Sequence, residues 1–331
     1  MLVKILSLTA VLLSGQAYAQ SLLETSVDWS SSILDYTQKH FSASYHGEVY
    51  GVRRDTESES ANDRNVKDFK IMHNPTLIYK PVENWQALAT AEFKYSDQAA
   101  ENAGADYPNG FYRGLLTLTR KNILTEKENG LKMDLGIGRR QFSTGPKQQS
   151  GGDYALSSYG NNRVFSTLSK TLGRADTSVF LQYLHNDYKK ATASTWKHSA
   201  EIIPTINVPI TTNLSYLFND DIVINTPKYD NTDRAFSISH EMNLAYVTYT
   251  WSDKISTYYQ LKFLHSENFT NDFQSQDDSF AHYTGMTYAF TPKNSVTAEV
   301  GSELAHARDG RDGFSKKVAY PELALYLDFA I

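Results

Sequence analysis

The sequence predicts an all-β fold, a transmembrane antiparallel up-and-down β-barrel of about fourteen strands. Three observations lead there. Apolar and polar residues alternate with a period of two along many segments. The connections between those segments alternate between short and long. Beyond the N-terminus no apolar run approaches the ~20 residues of a helical span, so a membrane protein of this composition must satisfy its backbone as a closed barrel.

The alternation is clearest in the last segment, where Leu323, Leu325, Leu327, Phe329 and Ile331 share one face and Glu322, Ala324, Tyr326 and Asp328 the other. A helix would scatter those leucines around its circumference, whereas a strand collects them on one side. The same pattern sets Trp85, Ala87, Ala89, Ala91, Phe93 and Tyr95 against Gln86, Thr90, Glu92 and Lys94. It recurs around Leu131–Ile137, Trp196–Val208 and Val296–Leu304. Weaker segments complete a set of strands near 41–53, 67–79, 85–95, 111–121, 131–142, 162–172, 177–186, 195–206, 213–219, 234–250, 254–265, 279–290, 295–305 and 317–331. The segment 162–172 is poorly patterned, which leaves twelve or sixteen strands as alternatives to the even count of fourteen.

Loop parity separates a membrane barrel from a soluble sandwich. Short connections fall at 81–84, 122–130, 173–176, around Pro209, at 252–253 and at 291–294. Long ones, rich in Gly, Asp, Asn and Ser, fall between them at 54–66, 96–110, 143–161, 187–194, 220–233, 266–278 and 306–316. Tight periplasmic turns and extended outer loops produce that parity, and a sandwich has no reason to. Aromatic residues sit near strand ends: Tyr79, Trp85, Trp251 and Phe290 by short turns, and Tyr50, Tyr95, Tyr112, Phe142, Tyr183, Trp196, Phe218, Phe263 and Phe280 by long loops. Two interfacial girdles would place them so.

The N-terminus sets the compartment. Lys4 supplies a positive region, Ile5–Leu13 an apolar one, and Ala17-Tyr18-Ala19 a small-x-small cleavage site, so residues 1–19 read as a cleaved signal peptide. Residues 20–40 form either a periplasmic N-terminal tail with a short helix or a lumenal plug, and the barrel occupies 41–331. The formal charge of −5 is mild acidity without a basic block, which argues against nucleic acid as a partner. The chain has no cysteine, as expected of a large exported fold held by its backbone ladder rather than by disulfides.

With these features in place, the chain resembles a porin-type outer-membrane β-barrel, similar in plan to the monomeric OmpG-like channels. The resemblance rests on the Ala17-Tyr18-Ala19 signal end, the alternating strands over 41–331, the loop parity and a terminal strand bearing Phe329. It implies integral residence in a bacterial outer membrane, lipid neighbours that include lipopolysaccharide, insertion by the outer-membrane assembly machinery, and a monomer. The pattern departs at the end of the chain, Phe329-Ala330-Ile331, where such barrels carry a terminal aromatic residue.

If the apolar face meets lipid, the polar face lines the interior. That assigns Lys70, Glu92, Lys94, Arg113, Lys132, Asp134, Arg140, Lys197, Glu201, Lys262, Glu299, Glu303, Glu322 and Asp328 to the lumen. So many charges fit a water-filled passage better than a dry core. The expected function is a passive diffusion porin for small hydrophilic solutes and ions. Selectivity should be weak because the signs are mixed, with bases on strands two to five and acids on the last two. The alternative is a non-channel surface barrel, an adhesin or structural protein acting through its long loops. A soluble periplasmic sandwich is the third reading. Loop 143–161, the longest, is a candidate constriction.

Catalysis and cofactors are not expected. His265-Ser266-Glu267-Asn268 lacks the Ser-Asn-Gly core of outer-membrane phospholipases, and no Asp-His dipeptide of the omptin kind occurs. The histidines are dispersed without metal-ligand spacing, and Asp309-Gly310-Arg311-Asp312-Gly313 reads as a turn rather than a calcium loop. His185, His265 and His306 near strand ends are candidates for proton-dependent gating.

Overall fold

A computed structural model describes residues 36–51, 70–96, 110–142, 158–188, 196–227, 234–270, 274–308 and 322–330, together with the turns at 80–84, 125–131, 173–174, 210–213, 253–254 and 292–293. Fourteen strands form: β1 Phe41–Tyr50, β2 Lys70–Tyr79, β3 Trp85–Ser96, β4 Gly110–Leu124, β5 Lys132–Phe142, β6 Ser158–Leu172, β7 Ala175–Tyr188, β8 Trp196–Pro209, β9 Leu214–Pro227, β10 Arg234–Ser252, β11 Ile255–Thr270, β12 Gln274–Thr291, β13 Asn294–Arg308 and β14 Glu322–Ala330. Each pairs with its sequence neighbours and β1 closes on β14, giving one up-and-down barrel with no crossover. The register between β1 and β14 runs antiparallel from Ser44↔Ala330 to Tyr50↔Ala324.

The polarity of this barrel is inverted relative to a water-soluble fold. Among the described residues the buried positions are mostly polar, including Glu92, Thr117, Thr119, Asp134, Asn161, Arg163 and Gln260. Large apolar side chains lie exposed instead, Leu116 at 59%, Ile137 at 56% and Leu323 at 61%. The register joins Leu118, Ile137 and Val164 in one row across β4, β5 and β6, and Leu118, Ile137 and Val164 are all exposed. A continuous apolar surface of this kind is not tolerated in water. On a closed barrel it is the band that meets lipid, and no helix among the described residues is long and apolar enough to cross a membrane in its place. The protein is an integral outer-membrane β-barrel.

Its rim chemistry follows. Near the periplasmic turns, Trp251 and Phe290 are exposed. The Arg120 guanidinium lies 5.6 Å from the Trp85 ring, and Trp251 Nε1 donates to Thr257 Oγ1 at 2.9 Å. An apolar ring face with a polar edge suits the headgroup boundary. Not every expected girdle residue belongs there. Tyr50 and Phe142 face inward, opposite Ala324 and Arg113 on the lumenal register, and Tyr112, at a bulge in β4, packs on Phe142 with ring centroids 5.9 Å apart. The Trp196 side chain lies outside the described residues.

Segment 162–172 is a strand, extended to Ser158, and fourteen replaces the alternatives of twelve and sixteen. Two expected long loops are mostly strand. β9 runs on to Pro227, and β11 and β12 leave only 271–273 between them. Polar runs such as Asn219-Asp220-Asp221 and His265-Ser266-Glu267-Asn268 look like loop, yet their backbones continue the ladder above the apolar band, where water solvates either face of a strand. The connection 122–130 begins as β4 and ends in a helical turn, Glu126–Asn129, closed by Gly130 at φ 68°. Of the N-terminal segment, residues 36–40 are helical. Residues 1–35, loop 143–157 and the Asp309–Gly313 turn lie outside the described residues, as does the 317–321 part of the last expected strand.

Candidate functional site: the barrel lumen

Inward and outward positions follow from the ladder, since paired residues project to the same face. Gln182 donates to the Glu201 carboxylate across β7 and β8, while their neighbours Leu181 and Tyr183 lie exposed on the other side. Extended around the barrel, this parity puts Lys70, Glu92, Lys94, Arg113, Lys132, Asp134, Arg140, Glu201, Lys262, Glu299, Glu303 and Asp328 on the lumenal face, while Lys197 falls at a bulge between Trp196 and His198 where no ladder pair assigns its face. The backbone of Glu322 has the same parity, opposite Gly301, but its side chain lies outside the described residues.

The lumen is divided by charge. Lys94 on β3, Arg113 on β4, Arg140 on β5 and Arg163 on β6 form a basic wall. Within it the Arg113 guanidinium contacts Glu92 Oε2 through both Nε and Nη2, each at 2.8 Å. Arg163 is only 7% exposed. Its Nη2 donates to Asn161 Oδ1 at 3.0 Å, and its Nε finds no hydrogen-bond partner among the described residues. Arg140 makes no ion pair among the described residues. Arg140 and Arg163 both lie within electrostatic reach of Glu201 on β8, which strands so far apart along the ladder achieve by facing a common interior.

Acids dominate the other side. Glu201 on β8 and Glu241 on β10 each lie within electrostatic reach of Asp221 on β9, and Glu299 and Glu303 follow on β13. Lys262 Nζ reaches Glu241 Oε1 at 2.5 Å. In a ring of fourteen, β10 stands seven strands from β3 and β13 seven from β6, so the acids face the bases across the diameter. Arg163, Asp221 and Glu241 escape the sequence reading. The signal for Arg163 was its parity with Phe165 and Thr167, hidden by the polar run Asn161-Asn162-Arg163. Asp221 and Glu241 were hidden by a loop assignment and by the mixed pattern of a strand that outgrows the membrane.

Elsewhere on the lumenal face, charges are tied to the wall. Asp134 accepts from Lys121 Nζ at 3.0 Å and from the Asn122 backbone amide at 2.8 Å. On β1 and β14, His46 bridges Asp328 at 2.6 Å and Glu48 at 3.1 Å, and Tyr50 donates to Glu48 at 2.5 Å. Lys70 Nζ lies 5.0 Å from the Tyr50 ring centroid.

The histidines expected near strand ends are not lumenal. His185 and His198 face each other across β7 and β8 on the outward face, ring centroids 5.1 Å apart. His265, also outward, binds Asp278 at 2.6 Å. Their parity matches Tyr183 and Tyr259, so they cannot line a pore and the gating expectation is withdrawn for both. The His306 side chain lies outside the described residues. No group of three or more potential metal ligands occurs among the described residues.

No protein-family model matches the chain, and no curated protein matches it significantly. Solved structures that resemble it include a loop-deletion mutant of OmpT, an outer membrane protein of Vibrio cholerae, at 11% identity and TM-score 0.46, covering 88% of this chain and 98% of that one. An outer membrane channel from Pseudomonas putida F1 matches at 10% identity and TM-score 0.42, covering 88% and 96%. A mutant of the Rh. blastica porin matches at 9% identity and TM-score 0.39, covering 87% and 100%.

Proposed function

We propose that the protein is a passive, water-filled channel for small hydrophilic solutes and ions, with weak charge selectivity and no catalytic activity. The observation that carries this reading is the opposition of Lys94, Arg113, Arg140 and Arg163 to Glu241, Glu299 and Glu303 across the lumen. Local partners hold several of them on their own wall, Glu92 beside Arg113 and Lys262 beside Glu241. A dry core would also need the two walls to close on each other, at several kcal/mol of desolvation per ion, and a barrel of this size is too wide for that. Fourteen strands spaced ~4.8 Å and tilted ~40° enclose a backbone cylinder roughly 28 Å across. Side chains lining both walls leave an opening of about 10–15 Å, wide enough for water and small solutes. The transverse field orders water and favours dipolar solutes over apolar ones of equal size, while mixed signs leave neither ion strongly excluded. Lipopolysaccharide as a lipid neighbour, delivery by the assembly machinery and function as a monomer belong to the same proposal.

The test is conductance of the refolded barrel in a planar bilayer. Folding is established first by heat-modifiable migration on a gel. Stable steps of large, nearly linear conductance are expected. A folded barrel that stays electrically silent would overturn the proposal and favour a surface protein acting through its loops.

A further inference from the structure

The outward face of β9–β12 carries two histidines, each held by its own carboxylate. His240 of β10 and His265 of β11 stand directly opposite in the ladder, with ring centroids 5.8 Å apart and planes at 52°. From β9, Asp220 Oδ2 lies 2.9 Å from His240 Nδ1. From β12, Asp278 Oδ1 lies 2.6 Å from His265 Nδ1. An ionised carboxylate can only accept, so each Nδ1 is the donor, and each neutral ring keeps a lone pair on Nε2. Glu267 Oε2 stands 4.0 Å from His265 Nε2, beyond hydrogen-bond reach, and adds negative charge beside the pair.

The carboxylates do more than fix the rings. The Asp220 side chain is only 9% exposed, and its Oδ1 has no hydrogen-bond partner among the described residues. A buried carboxylate left half satisfied is costly, and positive charge relayed through His240 offsets that cost. Protonating both rings would supply the charge but set two imidazolium ions against each other. One metal ion shared by both Nε2 atoms supplies it without that repulsion. Two imidazoles on a tetrahedral ion, with metal–nitrogen distances of ~2.0–2.1 Å, place their centroids ~5.2 Å apart, so the rings need to close by only about half an ångström.

The site is also reachable from water. His265 lies ten residues above Ile255, where β11 begins. At ~3.3 Å per residue and ~40° tilt this is about 25 Å, the upper limit of the lipid band. The outward Phe263–Phe280 pair, centroids 4.8 Å apart, marks that boundary one outward position below. His185 and His198 are as close together, at 5.1 Å, but lack the carboxylates. His198 Nδ1 meets the Tyr183 hydroxyl at 2.6 Å, and Asp187 is paired with Arg139, whose guanidinium repels a cation.

We propose that His240 and His265, positioned by Asp220 and Asp278, form an open two-imidazole site for a divalent transition-metal ion on the outer surface of the barrel. Imidazole nitrogen suits zinc, copper and nickel, whereas magnesium and calcium take oxygen ligands. The protein offers two nitrogens, and water completes the coordination. A carboxylate on each Nδ1 raises the basicity of the opposite nitrogen and fixes the ring.

The experiment uses the refolded barrel without an affinity tag in phosphatidylcholine vesicles, with copper(II), zinc(II) and magnesium as probes. Electron paramagnetic resonance of bound copper counts the coordinating nitrogens, and the urea midpoint reports binding to the folded state. One saturable copper site with two imidazole nitrogens is expected, with the midpoint raised by zinc and unchanged by magnesium. His240→Gln and His265→Gln should each lower copper affinity at least tenfold and leave one nitrogen, while His185→Gln should leave the site intact. Asp278→Asn keeps an acceptor for Nδ1 but removes its charge. It should weaken binding about tenfold and still show two nitrogens. No saturable binding, a wild-type signal without two nitrogens, loss with His185→Gln but not with His265→Gln, or magnesium acting like zinc would each overturn the proposal. The wild-type nitrogen count depends on no variant folding, and neither readout depends on conductance.

Discussion

Replacing Ile137 by arginine tests the inverted polarity in the middle of the apolar band. Ile137 projects outward at 56% exposure, with Leu118 and Val164 on either side across the ladder. It stands five residues above Lys132, where β5 begins. At ~3.3 Å per residue and ~40° tilt, this is about 13 Å above the periplasmic end, near the middle of a lipid band ~25 Å tall. No acid in that row could pair with a guanidinium. The expected cost is about 2–4 kcal/mol, a fall of roughly 30- to 700-fold in the folding equilibrium. Ser178→Arg is the control. It shares the parity of Gln182, with Ser169 and Thr205 across the ladder, and should cost within about 0.5 kcal/mol, as at a solvated surface. Urea titration in lipid vesicles, followed by fluorescence of the four tryptophans, measures both. If Ile137→Arg unfolds at the wild-type midpoint, or Ser178→Arg costs as much, the assignment of faces is wrong.

Further expectations concern the lumen and the turns. Arg140→Gln removes a base from one wall and Glu303→Gln an acid from the other. Each should change the cation-to-anion permeability ratio roughly twofold, in opposite directions, as one water-screened charge of about 0.5 kcal/mol would; reversal potentials under a salt gradient that do not separate would contradict the transverse field. Asp134→Ala forfeits both the Lys121 ion pair and the hydrogen bond to the Asn122 amide, and its urea midpoint should fall by the equivalent of about 1–3 kcal/mol. Gly130→Ala places a side chain at φ 68° in open space, so its cost is purely conformational, about 1 kcal/mol. Gly130→Asn should recover part of that, and an alanine variant as stable as wild type would show that the turn relaxes.

The strands were legible because a lipid-facing wall forces strict alternation wherever the chain crosses the apolar band. Leu323, Leu325 and Leu327 can be read without a structure for that reason. The limits of the strands were not, since the force that writes the pattern stops at the membrane surface. β11 continues through Ser266, Glu267 and Asn268 as part of the backbone ladder, and nothing in the order of those side chains distinguishes a ladder in water from a loop. The charged lumen was legible as a set of residues, because alternation assigns a face to every polar neighbour of an apolar residue. Partners were not. That Tyr258 of β11 spans Gly285 of β12 to reach Glu299 of β13 depends on registers between strands, and each register is set by turn geometry rather than by composition. Arg163 failed for a simpler reason: three polar residues in succession carry no period.

The seam between β1 and β14 has a consequence for how the barrel comes into being. Every other ladder in the ring joins strands adjacent in sequence, and those hairpins can form locally as each turn closes. The seam joins residues nearly as far apart as the chain allows, over the short stretch Ser44↔Ala330 to Tyr50↔Ala324. The entropy of closing so large a loop must be met before any of its hydrogen bonds repay it. Until then two strand edges remain open, each a template for a foreign strand. This places the kinetic bottleneck, and the point at which an assembly factor would hold the molecule, at one identifiable joint. It also makes that joint the first to part when the barrel is pulled or heated, so hydrogen exchange should be faster along β1 and β14 than along the long β10–β11 hairpin.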